Sequence, residues 1–297
     1  MVMPNFLIIG FQKAGTTSVY RYLGQHPEVF VSPTKELNYF SSIVEQPLID
    51  LKLTGGLTDR DAYEAVFAPG AEKRAIGEAS PLYATDPAVP AAIVRQIPEA
   101  RIIALVRNPV ERAWSEYWMR VRDRRERRPF ELAIGEEVKA AGGRPWLQGT
   151  ATYLASGFYA HHLTAYWDRF RPDRLACHFF EDLEADPKAV MRDLFRFLEV
   201  DAGFVPNTSV RHNVSGVARS RLLAPLMRKT RLSRTVRRAL PKPLADLALA
   251  RLEAWRGRTL TKPTLPPHVR TQLQDIYRAD IERLQTRLNR DLSHWLA

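Results

Sequence analysis

The 297-residue chain has one cysteine, Cys177, which excludes an intrachain disulfide and a cysteine-based zinc site and fits a reducing compartment. Long apolar runs are also missing. The N-terminal run, Phe6 to Ile9, is too short for a secretory or membrane-spanning segment and follows no basic stretch, so a soluble, cytoplasmic protein of bacterial type is expected. No internal repeat or low-complexity segment occurs, and no histidine and carboxylate cluster has ligand spacing, so no metal is expected. Acidic residues are in deficit: 44 Lys and Arg against 33 Asp and Glu give a formal charge of +11. That balance favours an anionic partner, whether nucleotide, acidic glycan, nucleic acid or membrane surface, without choosing among them.

With 45% hydrophobic residues, the chain can bury the core of one large α/β domain spanning 1–297. Its organising stretch is FLIIGFQKAGTTSVYRYL, Phe6 to Leu23. Phe6 to Ile9 reads as a buried strand, Gly10 to Gly15 as a turn, and the following residues as a helix carrying Val19, Tyr20 and Leu23. Such a turn is a natural anion site, because the first helical N–H groups lack intrahelical partners and the macrodipole is positive there. Gly10 and Gly15 have P-loop spacing, but Thr16 stands in the lysine position and the lysine lies inside the loop at Lys13.

Further strands are expected at Glu28 to Val31, at Arg74 to Gly77, at Arg101 to Val106 (RIIALV) and at Arg174 to Phe179. Helices are expected from near Thr58 and Asp59 to Phe67, at Pro87 to Gln96, from Asn108 to about Arg125, at Pro129 to Ala140, at Ser156 to Phe170, at Asp186 to Leu198 and at about 266–290. This alternation predicts a P-loop-like central parallel sheet flanked by helices, with a mostly helical C-terminal half. A basic helical insertion or lid is expected at about 218–262.

The RIIALV strand ends at Arg107, and ligands of open parallel sheets lie beyond the carboxyl ends of the strands. Arg107 should therefore face the same crevice as Lys13, where a magnesium-dependent kinase of the Walker type would often carry an acid. A forked guanidinium suits a phosphate, and two anion sites on one crevice suggest a ligand phosphorylated at two places. The alternative for Arg107 is an ion pair with Glu111 one turn on.

Together these motifs resemble the sulfotransferases that use 3′-phosphoadenosine 5′-phosphosulfate, in particular the carbohydrate and heparan-sulfate-type branch and its bacterial relatives. FLIIGFQKAGTTSVYRYL resembles the family's 5′-phosphosulfate loop and RIIALVRNPVERAWSEYW its 3′-phosphate motif; SGFYAHHL, FEDLEADP and the closing LSHWL extend the likeness along nearly the whole chain. The resemblance implies that Lys13, Ala14, Gly15, Thr16, Thr17 and Ser18 hold the 5′-phosphosulfate and that Arg107 and Ser115 hold the 3′-phosphate. It also implies that the RHNVSG loop, through Arg211, Asn213 and Ser215, closes over the nucleotide. TKELNYF resembles the Lys-Glu-x-x-Phe-Phe stretch that supplies the family's catalytic glutamate, making Glu36 the candidate general base, with Lys13 stabilising the leaving phosphate.

Glu78 in GEASPLYAT competes for the role of base, and with Ser80 and Tyr83 it is expected to line the acceptor crevice together with Glu36. Relatives of this branch often have lysine where Ala79 stands, which leaves the acceptor type open. His161 and His162 are a third option, with core packing as the bland alternative. The expected reaction moves a sulfo group to a hydroxyl, in preference to an amine, of a carbohydrate, glycolipid or other small-molecule acceptor. The alternatives are a P-loop phosphotransferase and a non-catalytic nucleotide- or nucleic-acid-binding module; the aromatic-and-basic motifs of common RNA modules are missing, so no nucleic acid is expected. The six arginines of 120–128 read as a solvated helix surface, whereas the amphipathic basic stretch 219–242 leaves contact with a membrane surface open.

Overall fold

The computed structural model describes residues 2–44, 56–142, 153–209, 217–218, 260–261 and 263–297. Five parallel strands form the central sheet: β1 (Phe6–Gly10), β2 (Val29–Val31), β3 (Ala75–Ala79), β4 (Arg101–Val106) and β5 (Leu175–Phe179), in the order β2-β3-β1-β4-β5. Every residue of β1 is buried, as is β4 after its first residue, because helices cover both faces of a parallel sheet and leave no polar side for alternation. Phe6 pairs with Gly77 of β3 on one side and with Arg101 of β4 on the other, which makes β1 the central strand.

The helices are α1 (Thr16–Leu23), α2 (Tyr39–Ser42), α3 (Arg60–Phe67), α4 (Val89–Gln96), α5 (Pro109–Arg122), α6 (Phe130–Ala140), α7 (Tyr159–Trp167), α8 (Phe180–Ala185), α9 (Pro187–Phe197) and α10 (Pro267–Leu288). Side-chain caps fix three of their starts. Asp59 accepts from the Ala62 N–H at 2.7 Å, Asn108 from Val110 at 3.0 Å, and Asp186 from Ala189 at 3.0 Å. After β1 the chain runs by way of α1 to the outer strand β2, and after β3 it crosses β1 to reach β4. The sheet thereby opens a crevice at the carboxyl ends of β1, β3 and β4. Residues 217–218 and 260–261 pair as a small antiparallel ribbon, β6 and β7.

Several boundaries differ from the sequence expectation, three of them in ways that bear on the architecture. β3 runs on through Glu78 to Ala79, a strand end disguised by a charged residue that is wholly buried. α5 stops at Arg122, and Arg124 takes a left-handed conformation with φ 59°, so the arginine run turns off the helix. α7 begins at Tyr159 rather than Ser156. A short 3-10 turn at Ala155–Gly157 precedes it, and Gly157 lies so close to Tyr277 that an added Cβ would sit 2.7 Å from the ring. α10 holds this corner: Asp280 accepts the N–H groups of Ala160 at 2.9 Å and His161 at 3.0 Å, capping α7 from another helix. Among the described residues no helix is long and apolar enough to cross a membrane.

Candidate functional site

The turn after β1 has the open backbone donors that a candidate anion site needs. The Phe11 N–H donates to the Leu105 carbonyl of β4 at 2.7 Å and that of Ala14 to Phe11 at 3.2 Å, which fixes the turn against the sheet. Gly15 is the N-cap of α1 with φ 92°, and a Cβ there would meet Leu183 at 2.9 Å and Phe180 at 3.1 Å, so both backbone and packing require glycine. No side chain caps α1 and no acid lies in its first turn. The N–H groups of Gly15 and Thr16 donate to no backbone carbonyl among the described residues. Fixed donors and the positive end of the helix dipole thus converge on the crevice.

Two cations flank this turn. Lys13 has φ 69°, and its Nζ lies 3.6 Å from Met119 Sδ, a weak acceptor. Arg107 donates from Nη1 to the Lys13 carbonyl at 3.2 Å, and its guanidinium lies 4.2 Å from the centre of the Phe180 ring. Burial lowers its pKa, opposed by the carboxylates of Glu111, Glu184 and Glu181. Glu111, the alternative partner considered for Arg107, pairs with Arg270 at 2.6 Å. Ser115 lies on α5 and is only 2% exposed.

Opposite the turn, residues 36–40 are laid along the end of β3 by a run of backbone donors. The Glu36 N–H reaches the Ala79 carbonyl at 2.9 Å. That of Leu37 donates to the Glu78 carboxylate. Those of Asn38 and Phe40 donate to Ser80 Oγ at 3.0 Å and to the Tyr83 hydroxyl at 3.2 Å. Glu78 in turn accepts from the hydroxyls of Tyr63 at 2.8 Å, Tyr83 at 2.7 Å and Ser80 at 2.6 Å. Burial pushes the Glu78 pKa up and these hydrogen bonds push it back down.

The clamp leaves Glu36 in a left-handed conformation, φ 66°, with a half-exposed side chain. Of the six non-glycine residues with positive φ among the described residues, Arg124, Glu199 and Asn289 follow helix ends, where that conformation is common. Asn38 is the buried N-cap residue of α2, whereas Lys13 and Glu36 border the crevice, and strain held by its surroundings concentrates at functional sites. Lys35 Nζ bridges the two walls, 3.3 Å from Thr16 Oγ1 on the turn and 3.3 Å from Glu36 Oε1.

The expected donor-turn residues Lys13 to Ser18 thus meet Arg107 and Glu36 around one crevice. Glu78, Ser80 and Tyr83, expected to line the acceptor crevice, are instead buried: each has 0% exposure, and their hydrogen-bonding groups are directed to one another and to the backbone of 36–40. The histidines are likewise displaced. His162 is buried against the Ala155 carbonyl at 2.8 Å with its pKa pushed down to about 4 by burial, and burial also lowers that of His161. Arg211, Asn213, Ser215 and the basic stretch 219–242 lie outside the described residues.

Sequence reasoning missed Phe180 as the ring beneath Arg107 and Tyr63 as a donor to Glu78, since both come from distant segments. For Lys35 a signal existed, its position beside Glu36, but the contact with Thr16 depends on the fold.

Residues 3–221 match the sulfotransferase domain family. The membrane-associated sulfotransferase kil1 of Dictyostelium discoideum is 30% identical over 144 residues, 46% of this chain and 29% of that protein. The human bifunctional heparan sulfate N-deacetylase/N-sulfotransferase 2 is 27% identical over 210 residues, 67% of this chain and 22% of that protein. The matched regions are therefore under a third of the length of these curated relatives. The crystal structure of a sulfotransferase from Alicyclobacillus acidocaldarius superposes over 100% of both chains with a TM-score of 0.75 at 29% identity.

Proposed function

The chain belongs to the sulfotransferase family, and from that premise we propose that it moves a sulfo group from 3′-phosphoadenosine 5′-phosphosulfate to a hydroxyl of a saccharide-containing acceptor, with Glu36 as general base. The observation that carries this reading is the crevice itself: a strained, half-exposed carboxylate faces an uncapped helix N-terminus across a lysine bridge, with Arg107 fixed to the same turn.

The donor co-substrate supplies an activated sulfo group, and the residues present fit it. The turn Lys13 to Ser18 suits its 5′ end, with the Gly15 and Thr16 N–H groups and the Lys13 ammonium as donors. Arg107 and Ser115 suit the 3′-phosphate, and the later loop of Arg211, Asn213 and Ser215, outside the described residues, is expected to close over the nucleotide. During transfer the acceptor oxygen bonds to sulfur as the bond from sulfur to the bridging oxygen breaks. The acceptor proton passes to Glu36, and the bond's electron pair leaves on the phosphate, where Lys13 meets the growing charge. Positioning and fixed charge therefore carry most of the catalysis. Glu78, Ser80 and Tyr83 act by holding Glu36 rather than by touching the acceptor. A saccharide acceptor takes support from the human relative, which is a heparan sulfate N-deacetylase/N-sulfotransferase.

Calorimetry with 3′,5′-ADP and with ATP, each with and without magnesium, tests the reading. Metal-independent binding of 3′,5′-ADP is expected, weakened roughly 10- to 150-fold by Arg107→Ala through loss of a charge-assisted contact. Preference for magnesium and ATP would favour a phosphotransferase instead.

A further inference from the structure

Thr16 stands where a Walker turn carries its lysine, and the fold brings an ammonium back to that point from a different segment. Lys35 Nζ has three N–H donors; its contacts with Thr16 Oγ1 and Glu36 Oε1 use two, and the third has no acceptor among the described residues. The lysine side chain is 18% exposed against 51% for the carboxylate, so the cation is sheltered while the base stays open. Burial lowers the Lys35 pKa and Glu36 opposes that shift; a charge with little water around it interacts more strongly with an incoming anion than a hydrated one does.

The segment that carries Lys35 is fixed at several points. The Ser32 N–H donates to the Gly77 carbonyl at 2.9 Å, Ser32 Oγ to the Thr34 carbonyl at 2.8 Å, and the Glu36 N–H to Ala79 at 2.9 Å. Tyr20 of α1 donates its hydroxyl to the Ser32 carbonyl, which ties the segment to the same helix that begins at Thr16. The ammonium therefore has a set place relative to the donor turn rather than that of a free surface lysine.

Thr16 belongs to the donor wall and Glu36 to the acceptor wall, so a group passing from one to the other travels through the gap that Lys35 spans. We propose that Lys35 is a further catalytic residue, its ammonium holding the transferring sulfo group by its oxygens while Lys13 attends to the bridging oxygen. The Lys35–Glu36 pair gives way when the sulfonate oxygens take the ammonium, which frees Glu36 for the acceptor proton. Lys35 keeps its own proton throughout, and the bond changes are those of the transfer above. This inference rests on the sulfotransferase reading.

The test compares two nucleotides that differ in the sulfo group, using the full chain without acceptor. Calorimetry of Lys35→Met should show 3′,5′-ADP bound within about threefold of the unaltered chain and the phosphosulfate donor bound roughly 10- to 150-fold more weakly, as loss of one charge-assisted contact implies. Lys35→Arg, which keeps the charge, should recover most of the donor affinity. Unchanged donor affinity in Lys35→Met overturns the inference, and so does equal weakening of both nucleotides, which would make Lys35 a contact to the shared phosphate or a structural prop. Failure of the unaltered chain to bind 3′,5′-ADP overturns the underlying reading and this inference with it.

Discussion

Glu78 at the end of β3 and Glu137 on α6 are both buried carboxylates that accept N–H groups from a neighbouring segment. Glu78 takes three hydroxyls and the Leu37 N–H, and both of its oxygens are partnered. Glu137 takes the N–H groups of Leu154 at 3.0 Å and Ala155 at 3.2 Å on one oxygen, while the other is buried without a hydrogen-bond partner. Burial pushes the Glu137 pKa up to about 7, helped by Glu116 and opposed by Arg112 and the two N–H groups. A filled shell turns a buried acid into a rigid fixture, and the fixture under the crevice sets the conformation of the proposed base. A half-filled shell leaves an acid that readily holds a proton, and that one ties α6 to the turn before α7.

The largest effect should come from the buried ion pair beside Glu137. Arg112, with 0% exposure, pairs with Glu116 at 2.7 Å and donates to the Tyr153 carbonyl. Arg112→Met should destabilise the chain by about 3–5 kcal/mol in urea titration, as for a broken buried pair, with the affinity of the folded protein for 3′,5′-ADP unchanged. A loss of affinity in the folded protein would erase the distinction between the two regions.

Next comes pH. A carboxylate whose pKa is raised on folding makes the native state bind more protons than the unfolded one, so stability falls as pH rises. For Glu137 the fall should span roughly pH 4.5 to 7 and amount to about 3 kcal/mol, at 1.36 kcal/mol per unit. Thermal or urea unfolding of Glu137→Gln over that window should show a shallower pH dependence than the unaltered chain. Equal slopes would show that the orphan oxygen does not hold a proton.

Glu78→Gln should cost less stability, about 1–3 kcal/mol, because its amide NH2 turns a donor toward the hydroxyl and N–H donors that the carboxylate accepts. It should nevertheless slow sulfo transfer by about 10²-fold through misplacement of Glu36, while 3′,5′-ADP still binds. Glu137→Gln should leave transfer intact, and equal effects from the two variants would break the comparison.

Much of the donor side was legible in the sequence for a physical reason. β1 and β4 are contiguous apolar runs bounded by polar residues, and Arg101–Val106 appears in the structure with the boundaries the sequence suggested. The candidate anion-binding residues follow such strands at fixed offsets, so Lys13 and Arg107 were expected at one crevice from the sequence alone. The acceptor side was hidden because its logic is nonlocal. Nothing in GEASPLYAT says that Glu78 is sealed by Tyr63 or that Ser80 and Tyr83 hold backbone four decades of residues earlier in the chain. The start of α7 was hidden likewise, since Gly157 yields to a ring from α10.

The central claim, that the β3 clamp presents Glu36 as the base of sulfo transfer, is tested most directly by Glu36→Gln. Transfer from labelled donor to a panel of saccharide acceptors should fall by about 10²-fold or more, with 3′,5′-ADP affinity unchanged. Transfer at the unaltered rate would contradict the account.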